Sequence, residues 1–343
     1  MIKAVTFGEV MLRLKSPGHD RLMQSPVLEA TFGGGEANVA VSLANYGMEA
    51  AFVTVLPEND LAQACLRELR GFGVDTSHVV FGPGRVGIYF LETGSNQRAS
   101  KVIYDRADSA IAKALPGSID WDKAFAGAGW FHTTGITPAI SQSAADLTLE
   151  AVMAAKRLGL QVSLDLNFRK NLWKYGKKAS EVMSGLMPFV DCAIANEEDF
   201  EMSLGIKPEK GSVEHGDIDP ELYREVAGEA MRRYPNLKHV AITLRQSISA
   251  DRNIWQASYY DGEEFLLSRR YDLTDIVDRV GGGDSFCGGL IYGLNACDNA
   301  RDALEFATAA SCLKHTVNGD YNRVSVSEVR SLMKGSGSGR VQR

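Results

Sequence analysis

The run Asp278-Arg279-Val280-Gly281-Gly282-Gly283-Asp284-Ser285-Phe286 sets three glycines and a carboxylate at the mouth of an apolar segment. That arrangement suits phosphoryl transfer. Glycines let backbone N–H groups approach an anion without side-chain obstruction. The stretch from Ser285 to Leu294 reads as a buried helix whose positive end faces the same point. Asp284 then has the chemistry of a general base. It would take a proton from an attacking hydroxyl while the N–H groups of Gly281, Gly282 and Gly283 stabilise charge on the transferring group. The same letters also describe a flexible turn ahead of a buried helix, so this run alone leaves two readings open.

A second cluster, Phe32-Gly33-Gly34-Gly35-Glu36-Ala37-Asn38-Val39-Ala40, leads into an apolar, alanine-containing stretch to Gly47. Together the two loops resemble the signature regions of the ribokinase-like (PfkB) carbohydrate kinases, and the resemblance covers nearly the whole chain. It is most specific toward 2-keto-3-deoxygluconate kinases. The residues that carry it are Phe7-Gly8-Glu9-Val10-Met11-Leu12-Arg13, Leu164-Asp165-Leu166-Asn167-Phe168-Arg169-Lys170-Asn171-Leu172-Trp173 and Asn196-Glu197-Glu198-Asp199.

The resemblance implies ATP-dependent phosphorylation of 2-keto-3-deoxygluconate at its C6 hydroxyl, with ATP and Mg2+ as cofactors. It makes Asp284 the base and Gly281 to Gly283 the anion hole. Relatives commonly read Thr-Thr-Gly-Ala-Gly-Asp in this loop, whereas this chain has Arg279, Val280 and Gly282. Gly282 in place of alanine is expected to be neutral, and Arg279 adds a cation near the phosphates. Asn196 and Asp199 align with the family's Asn-x-x-Glu, which organises magnesium and phosphate through water, and Glu198 competes for the metal role. Without the resemblance, Asn-Glu-Glu-Asp is an ordinary acidic helix start.

On the sugar side, Gly34, Gly35 and Asn38 resemble the family's hydroxyl contacts, and Tyr89 and Tyr104 offer an aromatic face and a hydroxyl. A keto acid also needs a carboxylate partner, a task suited to arginine's planar fork. Arg106 and Arg169 stand where ketodeoxygluconate kinases bind their acid; the plainer alternative for each is a surface ion pair. Thr243-Leu244-Arg245 replaces the common Thr-x-Gly, which makes Thr243 and Arg245 the nucleotide-side candidates. Asn318 falls where relatives line the adenine pocket, and Asp320 reaches toward the sugar. A neutral acceptor such as fructose or ribose is the first alternative, and a non-catalytic sugar-binding regulator is the second.

These residues require a scaffold that brings distant segments together. Short β-rich runs at Lys3 to Phe7, Ala51 to Leu56, Trp130 to Thr134, Gln161 to Leu166, Asp191 to Ala195 and His239 to Leu244 alternate with helical patterns. The clearest helix is Ser141 to Leu158, with Gly159 just past its end. This alternation argues for an α/β fold with a mainly parallel central sheet flanked by helices, and for ligands beyond the carboxyl ends of its strands. Between Arg85 and Asp105 two strand-like runs meet at Gly94-Ser95-Asn96-Gln97 without a helix, which reads as a hairpin. A second hairpin is expected from Ile254 to Tyr271 around Asp261-Gly262. The resemblance makes segments 11–35 and 85–107 a small β lid over the sugar site and, in a homo-oligomer, a dimer contact. Residues 1–333 are expected to form a single kinase domain, and the Gly/Ser-rich 334–343 a flexible tail.

Bulk properties exclude other classes. The 343 residues are 45% hydrophobic and 23% charged, with a formal net charge of −6 and no long basic run, which gives no electrostatic support to nucleic-acid or membrane-surface binding. Five cysteines without a CxxC pair read as free thiols. With no leader-like or membrane-length apolar run, the expected location is the cytoplasm and the expected partner a small sugar acid. Gly82-Pro83-Gly84-Arg85-Val86-Gly87 matches G-x-G-x-x-G in letters, but it precedes a strand-like run and contains proline, so it fails the dinucleotide context. Walker A, HRD, DFG and HExxH patterns do not occur, and His132 and His315 read as structural.

Overall fold

The computed structural model describes residues 2–196, 198–208 and 220–335. Its main sheet has nine strands. Ala50–Val53, Lys3–Phe7, Ala128–Thr134, Gln161–Asp165, Cys192–Asn196 and His239–Ser247 lie side by side, all parallel. Asn253–Tyr260 then pairs antiparallel with His239–Ser247 and carries both Phe265–Leu267 and Tyr271–Leu273. The expected second hairpin is present, with Glu263 and Glu264 N–H groups donating to Asp261 Oδ1 and Gly262 at φ +96°.

Helices cover both faces, and for that reason the parallel strands read as continuous apolar runs and not as alternating ones. Neighbouring residues of one strand enter opposite cores. Ala4 and Phe52 join Leu290 and Phe306, whereas Val5 and Val53 join Leu147 and Leu164. The helix expected from Ser141 spans Gln142–Arg157, with Ser141 Oγ accepting from the Ala144 N–H at 3.0 Å and Gly159 at φ +80°.

The segments expected to form a lid, called the lid below, make a separate four-stranded sheet in the order Glu29–Gly33, Met11–Lys15, Gly87–Glu92, Lys101–Asp105. Of its three paired neighbours only the two central strands pair in parallel. Two boundaries differ from expectation. The run Ala51 to Leu56 divides after Val53, and Val55–Leu56 leaves to pair with Val80–Phe81. The buried helix expected from Ser285 begins earlier and spans Gly282–Ala296. Gly281, at φ +82°, turns the chain sharply enough for Gly282 and Gly283 to become its first turn. Of the tail, residues 336–343 lie outside the described residues.

Candidate active site

The strands' carboxyl ends, the lid and the N-terminus of Gly282–Ala296 enclose a cavity of about 400 Å³. Three glycines form one wall, for different reasons. A Cβ on Gly281 would sit 2.2 Å from the Asp320 carbonyl oxygen, and one on Gly282 would sit 2.7 Å from His315 Cε1. Gly283 has open space. Glycine at position 282 thus has a packing reason in this chain: the His315 ring occupies the space that an alanine side chain would need. His315 is buried, its Nδ1 is 2.7 Å from the Ser311 carbonyl, and burial lowers its pKa to about 4, so it packs as a neutral ring. First-turn N–H groups have no intrahelical acceptor, which leaves an anion-binding edge on the cavity.

Asp284 stands at that edge. Asn38 Nδ2 donates to its Oδ2 at 2.6 Å, while Asn38 Oδ1 accepts from the Gly34 N–H at 3.3 Å. The first glycine cluster thus orients the acid of the second. Burial raises the Asp284 pKa to about 6, against the lowering effect of the Asn38 bond. A carboxylate held near that value is suited to take a proton at neutral pH.

Asp165, at the end of Gln161–Asp165, also faces the cavity. Its pKa is raised well above the ordinary carboxylate range by burial, then by Asp199 and Asp284. It accepts from the Asn167 N–H at 3.2 Å, and Asn167 itself has φ +38°. This turn projects the exposed Arg169 toward the cavity.

Sequence-predicted sugar-side residues Gly34, Gly35, Asn38, Tyr89, Tyr104, Arg169 and Asp320 all line the cavity. Tyr89 donates to Asp320 Oδ1 at 2.6 Å. Arg106 does not line it. Its guanidinium is hydrogen-bonded to Glu9 and lies 5.6 Å from the Tyr104 ring centroid. The partner sits 97 residues away in sequence, beyond what motif spacing can register.

On the opposite side Asn196, Thr243, Arg245, Arg279 and Trp255 share the wall. Asn196 Oδ1 accepts from the Glu198 and Asp199 N–H groups at 2.9 and 3.1 Å, so the plain helix-start geometry is present as well. Asp199 accepts from the N–H groups of Phe168 at 3.0 Å and Asn196 at 2.9 Å, one on each oxygen. Glu198 is exposed and lies off the cavity wall. Asn318 lines a smaller neighbouring cavity with Arg13, Lys15 and Arg323.

A magnesium ion wants hard oxygen donors and keeps several of its waters. Asp165 and Asp199 supply such oxygens, but both Asp199 oxygens already accept backbone bonds. Among the described residues no group of three His, Cys, Asp or Glu side chains is arranged to hold a metal. The donor set therefore fits an ion ligated mainly by phosphate and water.

Asp165 and Trp255 are cavity residues that sequence reasoning did not single out. Asp165 had a signal, a carboxylate ending an apolar strand, whereas Trp255 had none. Arg279 is anchored through Nη2 to the Ala250 carbonyl at 2.6 Å, and burial lowers its pKa.

The sheet, lid and glycine loop together define a carbohydrate kinase. The chain belongs to the pfkB family carbohydrate kinases, whose family model matches residues 1–326. It is 46% identical to a crystal structure of 2-dehydro-3-deoxygluconokinase from Thermotoga maritima, with a TM-score of 0.92 over 98% of this chain and 100% of that one. It is 33% identical to 2-dehydro-3-deoxygalactonokinase from Haloferax volcanii over 98% of each chain. At 20% identity, fructokinase from Xylella fastidiosa, solved with bound ATP, shares the fold with a TM-score of 0.76 over 98% of this chain and 99% of that one.

Proposed function

We propose that this chain transfers a phosphoryl group from ATP to the C6 hydroxyl of 2-keto-3-deoxygluconate, giving 2-keto-3-deoxy-6-phosphogluconate and ADP. The observation that carries this reading is one cavity that holds both Asp284, at a glycine-lined helix N-terminus, and Arg169. The first pair serves phosphoryl transfer to a hydroxyl; the second is a cation for the acid group. The 46% identity to a 2-dehydro-3-deoxygluconokinase supports the acceptor.

Asp284 accepts the C6 hydroxyl proton as the oxygen attacks phosphorus. The N–H groups of Gly282 and Gly283 stabilise the charge that develops on the transferring group. Gly34, Gly35, Asn38, Tyr89, Tyr104 and Asp320 hold the sugar, and Arg169 orients its carboxylate. Asn196, Thr243 and Arg245 face the nucleotide. Magnesium, when bound, neutralises phosphate charge, with Asp199 and Glu198 reached through water. Arg106, hydrogen-bonded to Glu9 and 5.6 Å from the Tyr104 ring centroid, supports the sugar side from behind the cavity wall.

Residues 1–333 act as one kinase domain in the cytoplasm, the matched family model spanning residues 1–326. The outermost lid strand leaves Val102, Ile103 and Tyr104 exposed, which supports a lid-mediated dimer.

Magnesium-dependent ADP formation tests the reading, with 2-keto-3-deoxygluconate, its galactonate epimer, fructose and ribose as parallel acceptors. Selective turnover of the keto acids is expected. Preference for a neutral sugar would remove the acid-binding role of Arg169, and no turnover with any acceptor would favour a non-catalytic binder.

A further inference from the structure

Arg13 sits at an inward position of the central lid strand Met11–Lys15, where alternation would place an apolar side chain. It is only 1% exposed. Its Nη1 donates to Asp320 Oδ1 at 2.6 Å and its Nη2 to Asp278 Oδ2. Burial alone would lower its pKa, but Asp320 and Asp278 outweigh that effect and raise it. The guanidinium is therefore held charged.

Each of its two partners is attached to the glycine loop. Asp278 Oδ1 accepts from the Val280 N–H at 3.1 Å, its Oδ2 accepts from the Gly319 N–H at 3.2 Å, and its carbonyl accepts from the buried Lys314 Nζ at 3.4 Å. The Asp320 carbonyl fills the space that a Cβ on Gly281 would need, and its carboxylate fills the corresponding space at Gly33 and accepts from Tyr89. Three segments thus meet on one guanidinium: the lid, the anion-hole loop and the turn at Asn318 to Asp320.

We propose that Arg13 is a positioning residue that locks the lid to the glycine loop, so that sugar-side closure and the anion hole open and close as one unit. Lysine could keep the charge but not the fork, and would reach one carboxylate at a time. The proposal rests on the kinase reading for its catalytic consequence. Its structural part does not depend on which acceptor is used.

Amide hydrogen exchange on the ligand-free protein tests that part. In the native chain, Gly87–Glu92 of the lid and the protected loop amides, Val280 on Asp278 Oδ1 and Ser285 on the Gly281 carbonyl, should share one opening equilibrium. In Arg13→Lys the lid should open at least about tenfold more often than the loop, while Gln161–Asp165 in the main sheet is unchanged. With a turned-over acceptor, kcat should fall about 100-fold, as misplacement by about 1 Å typically costs, with the KM for ATP nearly unchanged. If Arg13→Lys does not fold, the double variant Arg13→Gln/Asp278→Asn removes the two charges together and should show the same uncoupling. Independent exchange of lid and loop in the native chain would overturn the proposal. So would unaltered exchange in the variant, or equal acceleration across the whole sheet.

Discussion

Gly33-Gly34-Gly35-Glu36 and Gly281-Gly282-Gly283-Asp284 are nearly the same string, and each opens a helix, yet their acids do opposite things. In the first, Gly34 precedes the helix Gly35–Asn45 and Glu36 is its second residue; in the second, Gly281 precedes Gly282–Ala296 and Asp284 is the third. One residue of offset is a rotation of about 100° around a helix axis. Glu36 therefore turns inward, where its Oε1 accepts from the Thr134 N–H, Thr134 Oγ1 and Thr137 Oγ1 at 3.0, 2.8 and 3.0 Å. Asp284 turns to the cavity, held by Asn38. A shared motif thus separates into a scaffold acid and a reactive acid.

Asp284→Asn is the sharpest way to break this contrast. It keeps shape and removes the base, so kcat should fall roughly 10²- to 10⁴-fold in an ADP-release assay. In the native enzyme kcat/KM should decline as pH falls below about 6, because the protonated carboxyl cannot accept the hydroxyl proton. Near-native turnover of the variant would remove Asp284 from that role.

Arg169→Ala comes next. Loss of one charge-assisted hydrogen bond should lower kcat/KM for the keto acid roughly 10- to 100-fold. Binding of ATP, followed by calorimetry, should hardly change. Equal losses for acid and neutral acceptors would argue that Arg169 does not read the carboxylate.

The two clusters also show what could be read from the chain alone. The parallel strands were legible because burial on both faces writes a continuous apolar run, and the lid hairpin because no helix fits between Glu92 and Lys101. The glycine loop was legible as a site, but its helix register was not: only the left-handed Gly281 moves the start from Ser285 to Gly282. Nothing in the sequence links Arg106 to Glu9, to which it is hydrogen-bonded, and Asp165 reads there as the end of a buried strand. Such pairings join residues about a hundred or more apart, and chain spacing carries no record of them.

Stability effects sharpen the comparison further. Gly282→Ala must displace the His315 ring, and overpacking of this kind costs roughly 1–3 kcal/mol, which denaturant unfolding would register. Gly283→Ala meets open space and gains helix propensity of up to about 1 kcal/mol, so it should unfold no earlier than the native chain. If both variants unfold at the same denaturant concentration, the ring does not dictate the glycine.

The smallest effect on turnover should come from Glu36→Gln, and it is the one that separates the two acids most cleanly. Burial raises the Glu36 pKa to about 7, above the ordinary value of 4.5, so the folded chain holds this proton more tightly than the unfolded chain does. The stability that this provides is complete below about 4.5 and is lost as pH rises through about 7. Glutamine does not titrate, so native and Glu36→Gln melting temperatures should diverge steadily across that window in favour of the variant. Turnover should stay within about threefold, since Glu36 contacts hydroxyls and backbone away from the cavity. Asp284 is shifted in the same direction, but its proton gates the reaction and its variant loses kcat. A fall in kcat for Glu36→Gln as deep as that for Asp284→Asn would mean that helix rotation does not divide the roles, and would move Glu36 into the reacting set.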